Sequence, residues 1–282
     1  MLVNFQKAGE SVIVPVFLTL SPLLAATLSW RCGWFADRDI LWRLPLCTIA
    51  AFFALTLAFL LVLCLSAACV SRRERTRPSA WCHFLTVQFA HLALFLGGVR
   101  VHISGAETLP QEGRFLLVSN HLCAIDPIIF YHALPRVPLS FLSKKENEAI
   151  PVVAGLMRGM MCLSIDREND RASLRAIILA VQYLQHGVTN IAAFPEGATN
   201  KTSDLLLPFR NGVFKIAQKA DVPIAVCTLR GTRTVLRRMF RRRSDVYLDV
   251  LALLPAQDCR EQTTAQIGAH VREQMTQTLS GR

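Results

Sequence analysis

From Leu44 to Val70 the chain reads LPLCTIAAFFALTLAFLLVLCLSAACV, without one charged side chain. That run exceeds the roughly 20 residues that a helix needs to cross a hydrocarbon core. In lipid the backbone must satisfy its own polar groups, so the run predicts a spanning helix. Ser11 to Trp30 (SVIVPVFLTLSPLLAATLSW) is also uncharged and predicts a second span, kinked where Pro15 and Pro22 lack an N–H. A signal peptide is the competing reading. The leading region, however, has only Lys7 against Glu10, and a full span follows, which favours retained anchors.

Residues 1–80 are therefore expected to form a membrane anchor, with helices at about 11–30 and 44–70, in an integral membrane protein. Arg72, Arg73, Arg75 and Arg77 follow the second span and place the remaining chain in the cytoplasm by the positive-inside bias. Arg31, Arg38 and Arg43 between the spans weaken that bias. Trp81 to Gly98 is shorter and carries His83, Gln88 and His91, so residues 81–100 are expected to lie in the membrane interface, with a buried core helix as the alternative. His91 reads as a core or interfacial residue rather than a ligand.

Hydrophobic residues make up 52% of the chain against 18% charged, and the net charge is +11. Such a charge suits nucleic acid, an anionic membrane surface or a phosphorylated substrate alike. No nucleic-acid motif or aromatic platform accompanies it, which sets nucleic acid aside. Nine scattered cysteines without a CxxC pair read as reduced, mostly buried thiols, implying neither a disulfide framework nor a metal site. The block Arg237 to Arg243 (RRMFRRR) reads either as a solvated turn between strands or as a contact for anionic headgroups or an acyl carrier's phosphates.

After Gly105, short apolar runs alternate with helical periodicity, which predicts an α/β fold: a mixed sheet flanked by helices over residues 101–282. The strand candidates are 115–119, 139–142, 161–165, 191–194, 223–229 and 247–254. The best helix candidate is 171–186. Leu174, Ile177, Ile178, Val181 and Leu184 would share its buried face, Asp170 would cap it, and Gly187 would end it.

Phe115 to Asp126 (FLLVSNHLCAID) is an apolar strand running into Asn120 and His121, with Asp126 five residues beyond the histidine. A carboxylate folded back onto one imidazole nitrogen fixes the tautomer and leaves the other nitrogen to take a proton from a hydroxyl. Chance also produces this spacing, so the pair gains weight only from its neighbours.

Those neighbours occur in order. Asn120, His121 and Asp126 match an NH-x4-D box, Leu163 to Arg167 (LSIDR) a second box, Phe194 to Gly197 (FPEG) a third, and Val222 to Ile224 (VPI) a fourth. Together they resemble the 1-acylglycerol-3-phosphate acyltransferase family of glycerolipid acyltransferases. Ser143 to Pro151 and Pro208 to Gly212 (PFRNG) extend the likeness over roughly residues 100–255.

The resemblance implies the glycerolipid acyltransferase fold, with His121 as general base and Asp126 as its orienting partner. It further implies Asn120, Lys144, Arg167, Glu196 and Gly197 as substrate-binding residues. Lys144 and Arg167 suit a phosphate by their charge, whereas Glu196, an acid beside an anion, is better suited to positioning. Lysophosphatidic acid would be the acceptor, acyl-CoA or acyl carrier protein the donor, and no cofactor would be needed. Three departures stand out: Ala198 in place of a threonine, with Thr199 next along; Met161 in place of a glycine; and Val226 in place of a proline. They leave open another lyso-lipid acceptor, such as a lyso-ornithine lipid or lysophospholipid, and more distantly a non-catalytic scaffold.

Overall fold

The computed structural model describes residues 11–70, 75–166 and 170–281. Arg72, Arg73 and Arg167 lie outside them. Two long apolar helices, α1 (Ile13–Arg31) and α2 (Ile40–Cys69), pack as a hairpin. Pro15 falls in the first turn of α1, where a missing N–H is tolerated, whereas Pro22 and Pro45 lie inside α1 and α2, which continue through them. Both helices are long and apolar enough to cross a membrane, and only 11% of the most hydrophobic window of α2 is buried. Phe53, Leu57, Leu61 and Leu65 face outward, an apolar surface that water would not tolerate and lipid would. The protein is membrane-associated.

Helix α3 (Ala80–Leu96) differs from the interfacial helix anticipated for residues 81–100. Leu85 and Leu92 pack with Val14, Phe17, Phe59 and Leu63 of the hairpin, while Cys82, Ala90 and Leu94 join the core of the following domain. Its polar residues face protein too. The Gln88 side chain accepts hydrogen bonds from the N–H groups of Val12 and Ile13 (2.9 and 3.1 Å), capping α1, and His83 Nε2 donates to Pro135 O (2.8 Å). These bonds fit the alternative reading of a buried core helix.

The remaining chain alternates strands and helices. The strands are β1 (Val99–Ser104), β2 (Leu116–Ser119), β3 (Leu139–Lys144), β4 (Leu163–Ile165), β5 (Asn190–Ala193), β6 (Ile224–Arg230) and β7 (Ser244–Leu254). They form one mixed sheet in the order β1-β7-β6-β2-β5-β3-β4. From β6 to β4 all neighbours are parallel, whereas β7 runs antiparallel to β6. The carboxyl ends of β6, β2, β5, β3 and β4 consequently share one edge, where an open α/β sheet places its ligands.

Pleating divides the core in two. Phe115, Leu117, Ala225 and Cys227 face α3 and α4 (Asp126–Ala133). Leu116, Val118, Ile191, Ile224 and Val226 face the opposite layer of α6 (Asp170–Gln185), α7 (Phe214–Ala220) and α10 (Thr264–Ser280). Between β3 and β4 lies α5 (Pro151–Gly159), whose Gly155 meets the Ala67 backbone of α2 so closely that a Cβ would stand 2.2 Å from its carbonyl oxygen. That contact ties the hairpin to the domain.

Helix α6 matches the anticipated range, and Gly187 ends it in a Schellman turn, with Gly187 N–H on Leu184 O and Val188 N–H on Tyr183 O. Its inward face is shifted, however: Ala176, Ala180 and Leu184 are buried, while Leu174 and Ile178 are exposed. Small residues at 176 and 180 let the helix lie close to the sheet, a preference that counting only large apolar side chains misses. The Asp170 side chain is outside the described set. Strand β1 was not anticipated, although VRVHIS alternates apolar and polar residues; Val99 is buried, while Ile103 on the same face is exposed.

Candidate active site

Strand β2 ends at Ser119, and the next two residues face different tasks. Asn120 is fully buried: its Nδ2 donates to Leu229 O (2.9 Å) and its Oδ1 accepts from Leu229 N–H (2.7 Å). Both ends of the amide are engaged by β6, so the substrate contact expected of Asn120 is replaced by a clamp that fixes where β2 stops. His121 follows with its ring at the carboxyl edge of the sheet.

Asp126, fully buried at the first turn of α4, directs Oδ2 at three donors: His121 Nδ1 (2.8 Å), Leu122 N–H (2.7 Å) and Cys123 N–H (2.9 Å). A carboxylate holding two backbone N–H groups acts as an acceptor, so Nδ1 of His121 carries the hydrogen and Nε2 is left bare. Phe194 stacks on the imidazole at 4.2 Å and 12° and fixes its plane. The bare Nε2 accepts from the Thr199 hydroxyl at 3.1 Å. The site thus presents a hydroxyl at the basic nitrogen, the geometry that general-base removal of a hydroxyl proton requires.

Cys123, beside this pair, is buried, and burial raises its thiol pKa above the ordinary value. It lacks the electropositive, accessible setting of a reactive thiolate.

Strand β5 runs beside β2 and supplies the FPEG turn. Glu196 is 4% exposed, with Oε1 accepting from His121 N–H (2.8 Å) and Oε2 from Leu207 N–H (2.7 Å). Burial pushes its pKa up, opposed by these two N–H groups. Its role is to position the His121 backbone; direct ligation of substrate, expected from the family box, is not what its oxygens are placed for. Asn200 N–H on His121 O (2.7 Å) completes the lock.

Gly197 adopts φ 68°, and a Cβ there would stand 2.8 Å from Cδ and Nε of Arg210. Glycine is needed on both counts. The Arg210 side chain therefore lies across the FPEG turn, exposed and without an ion pair among the described residues. Arg210 was seen in the sequence only as part of the PFRNG turn; what marks it is the Gly197 that its side chain covers.

Lys144 ends β3, one strand beyond β5, and it too has no ion pair among the described residues. Its neighbour Lys145 instead pairs with Asp166 at 2.8 Å. Lys144 is two strand spacings from β2, or about 10 Å. Ile165, two residues before Arg167, ends β4, a further spacing away. In space the order along the edge is thus His121, Glu196, Lys144, unlike their order in the chain.

The family model described as Acyltransferase matches residues 100–230, the stretch that carries every group above except the membrane hairpin. Over that stretch, a little under half of its length, the chain resembles the acyltransferase family. The chain is 26% identical over 190 residues to the 1-acyl-sn-glycerol-3-phosphate acyltransferase of Borreliella burgdorferi, covering 67% of its own length and 75% of that protein. To the protein of the same name from Saccharomyces cerevisiae it is 22% identical, covering 68% and 63%. To a probable 1-acyl-sn-glycerol-3-phosphate acyltransferase of Mycoplasma pneumoniae it is 32% identical, covering 50% and 53%. The crystal structure of the Thermotoga maritima 1-acyl-sn-glycerophosphate acyltransferase, PlsC, superposes with a TM-score of 0.59 at 20% identity over 96% of this chain and 97% of that one. The shared fold includes the mixed sheet and the N-terminal helices.

Proposed function

We propose that this protein is an acyltransferase that moves a fatty acyl group from a thioester to the sn-2 hydroxyl of 1-acylglycerol-3-phosphate, giving phosphatidic acid, with no cofactor. The observation that carries the chemistry is the Asp126–His121 pair with a hydroxyl already at Nε2. The acceptor hydroxyl takes the place of the Thr199 hydroxyl and gives its proton to Nε2 as its oxygen attacks the thioester carbonyl. Asp126 holds the resulting imidazolium. The tetrahedral intermediate collapses, the C–S bond breaks, and His121 returns the proton to the departing thiolate. The ester and the free thiol are the products.

Cations for the acceptor's phosphate are Arg210 across Gly197 and Lys144 at the end of β3, joined in this proposal by Arg167. A planar guanidinium meets phosphate oxygens in pairs, and an ammonium meets them as a point charge.

An apolar cavity of about 450 Å³ supports a long-chain substrate. Thr56 and Leu60 of α2, Leu96 of α3, and Ala124 and Ile125 of the loop between His121 and Asp126 line it. It extends from the membrane hairpin to the loop between His121 and Asp126, so a chain leaving the bilayer need not cross water. Residues 1–80 then serve as the anchor, with both helices spanning, and 101–282 as the catalytic domain facing the cytoplasm.

The test is an acceptor and donor panel on purified protein in neutral detergent, with lysophosphatidic acid, lysophosphatidylcholine and a phosphate-free lyso-lipid as acceptors, each supplied with acyl-CoA or acyl carrier protein. Transfer to lysophosphatidic acid with a clear preference over both others is expected. Activity confined to the phosphate-free acceptor would overturn the assignment.

A further inference from the structure

The arginine-rich turn between β6 and β7 takes no part in the chemistry above, yet it is built and placed with some care. Arg237, Arg238, Arg241, Arg242 and Arg243 are all exposed, and none forms an ion pair among the described residues. A solvated turn would not need apolar residues among them, but Leu236 is 55% exposed and Phe240 75%. Phe240 also sits at φ 66°, a left-handed conformation that suits glycine and is uncommon for a bulky side chain. The turn is nonetheless fixed. Val235 is buried in the core, Met239 covers Gly97 at the end of α3, and Ser244 N–H bonds Gly98 O (3.1 Å). An aromatic ring is therefore held outward on a firm base, ringed by arginines.

Its height along the hairpin gives this meaning. Leu236, Met239 and Phe240 share the apolar cavity with Thr56 and Leu60 of α2. The loop joining α1 to α2 carries the marks of one membrane interface, with the Arg43 guanidinium 5.4 Å from the Trp34 and Trp42 ring centres and bonded to Asp37 and Asp39. From Arg43 to Leu60 a helix rises about 26 Å, close to the ~30 Å of a hydrocarbon core. The arginine turn thus stands where the opposite interface falls.

We infer that residues 236–243 form a docking collar for the anionic lipid surface, with Phe240 at the acyl boundary and the arginines on headgroup phosphates. Five guanidinium groups without an ion pair among the described residues match a surface of negative phosphates, and interleaved apolar side chains match a bilayer better than an acidic protein surface. The collar borders the apolar cavity, so the same contact holds the cavity's mouth against the lipid from which a chain enters. The inference rests on α2 as a span and not on which lyso-lipid is the acceptor.

The test uses the full chain reconstituted in phosphatidylcholine vesicles with or without phosphatidylglycerol. The variant carries Arg237→Gln, Arg238→Gln, Arg241→Gln and Arg242→Gln together, and basal activity is read first in neutral detergent micelles. Expected are micellar activity within twofold of wild type, a several-fold salt-sensitive gain for wild type on anionic over neutral vesicles, and loss of that gain in the variant. Separately, Phe240→Trp should add fluorescence that lipids brominated in the upper acyl chain quench. An unchanged gain in the variant, or no added quenching, would overturn the collar. So would a several-fold rise in the donor's apparent KM in micelles, which would assign the arginines to the acyl carrier instead.

Discussion

The Thr199 hydroxyl occupies the nitrogen at which an acceptor must arrive, and its replacement has a definite sign. A neutral hydrogen bond contributes about 1 kcal/mol net, and an acceptor must displace it. Thr199→Val keeps the shape and removes the donor. Acceptor kcat/KM should then stay the same or rise by up to about fivefold, the factor that about 1 kcal/mol corresponds to. Thr199→Ala leaves a void beside Nε2 that water can enter, so His121 should activate water and thiol release without acceptor should increase. The assay follows free thiol with acyl-CoA alone and ester formation with lysophosphatidic acid. A fall of tenfold or more in transfer for Thr199→Val, or an acyl group recovered on Thr199 in the wild-type protein, would refute the reading and make the hydroxyl a participant.

Other consequences follow from the same geometry. Asp126→Asn removes the charge that holds Nδ1–H and stabilises the imidazolium, so kcat should fall about 10³- to 10⁴-fold with circular dichroism unchanged. Gly197→Ala forces a left-handed alanine worth about 1 kcal/mol of strain and pushes Arg210 aside; a several-fold rise in acceptor KM is expected, against little change in donor KM. His132 packs on His91 with ring centres 4.4 Å apart, and burial, then the neighbouring imidazole, lowers its pKa to about 4. Its folded pKa lies below the unfolded value near 6.5, so the unfolded chain binds more protons between them. Stability should be full above about pH 6.5 and decline as pH falls towards 4, and His132→Gln should flatten that part of a thermal unfolding profile in detergent.

How far the sequence reached depended on what each residue's neighbours are. The His-Asp pair was legible because its partners lie five residues apart, and the long apolar helices because they need no distant partner to be read. The roles of Asn120 and Glu196 were not, because Leu229 and Leu207, which they bind, come near only when β6 and the 205–208 segment close over β2 and β5. A family box records that such residues are required, and the fold shows that they are required for position. Met161 illustrates the converse. The family's glycine at this place reads as a backbone preference, and Met161 stands at φ 57°, so the conformation is kept by a residue ill suited to it while its side chain is buried. The polar residues of α3 misled for the same reason as Asn120: Gln88 reaches a helix terminus 75 residues away in the chain.

The general-base assignment is tested most directly by His121→Ala. The variant removes Nε2 and leaves the Asp126 contacts to Leu122 and Cys123 in place. Measured in neutral detergent with lysophosphatidic acid and acyl-CoA, and matched to wild type in thermal unfolding, its kcat should be lower by at least about a hundredfold. Transfer within tenfold of wild type would contradict the account.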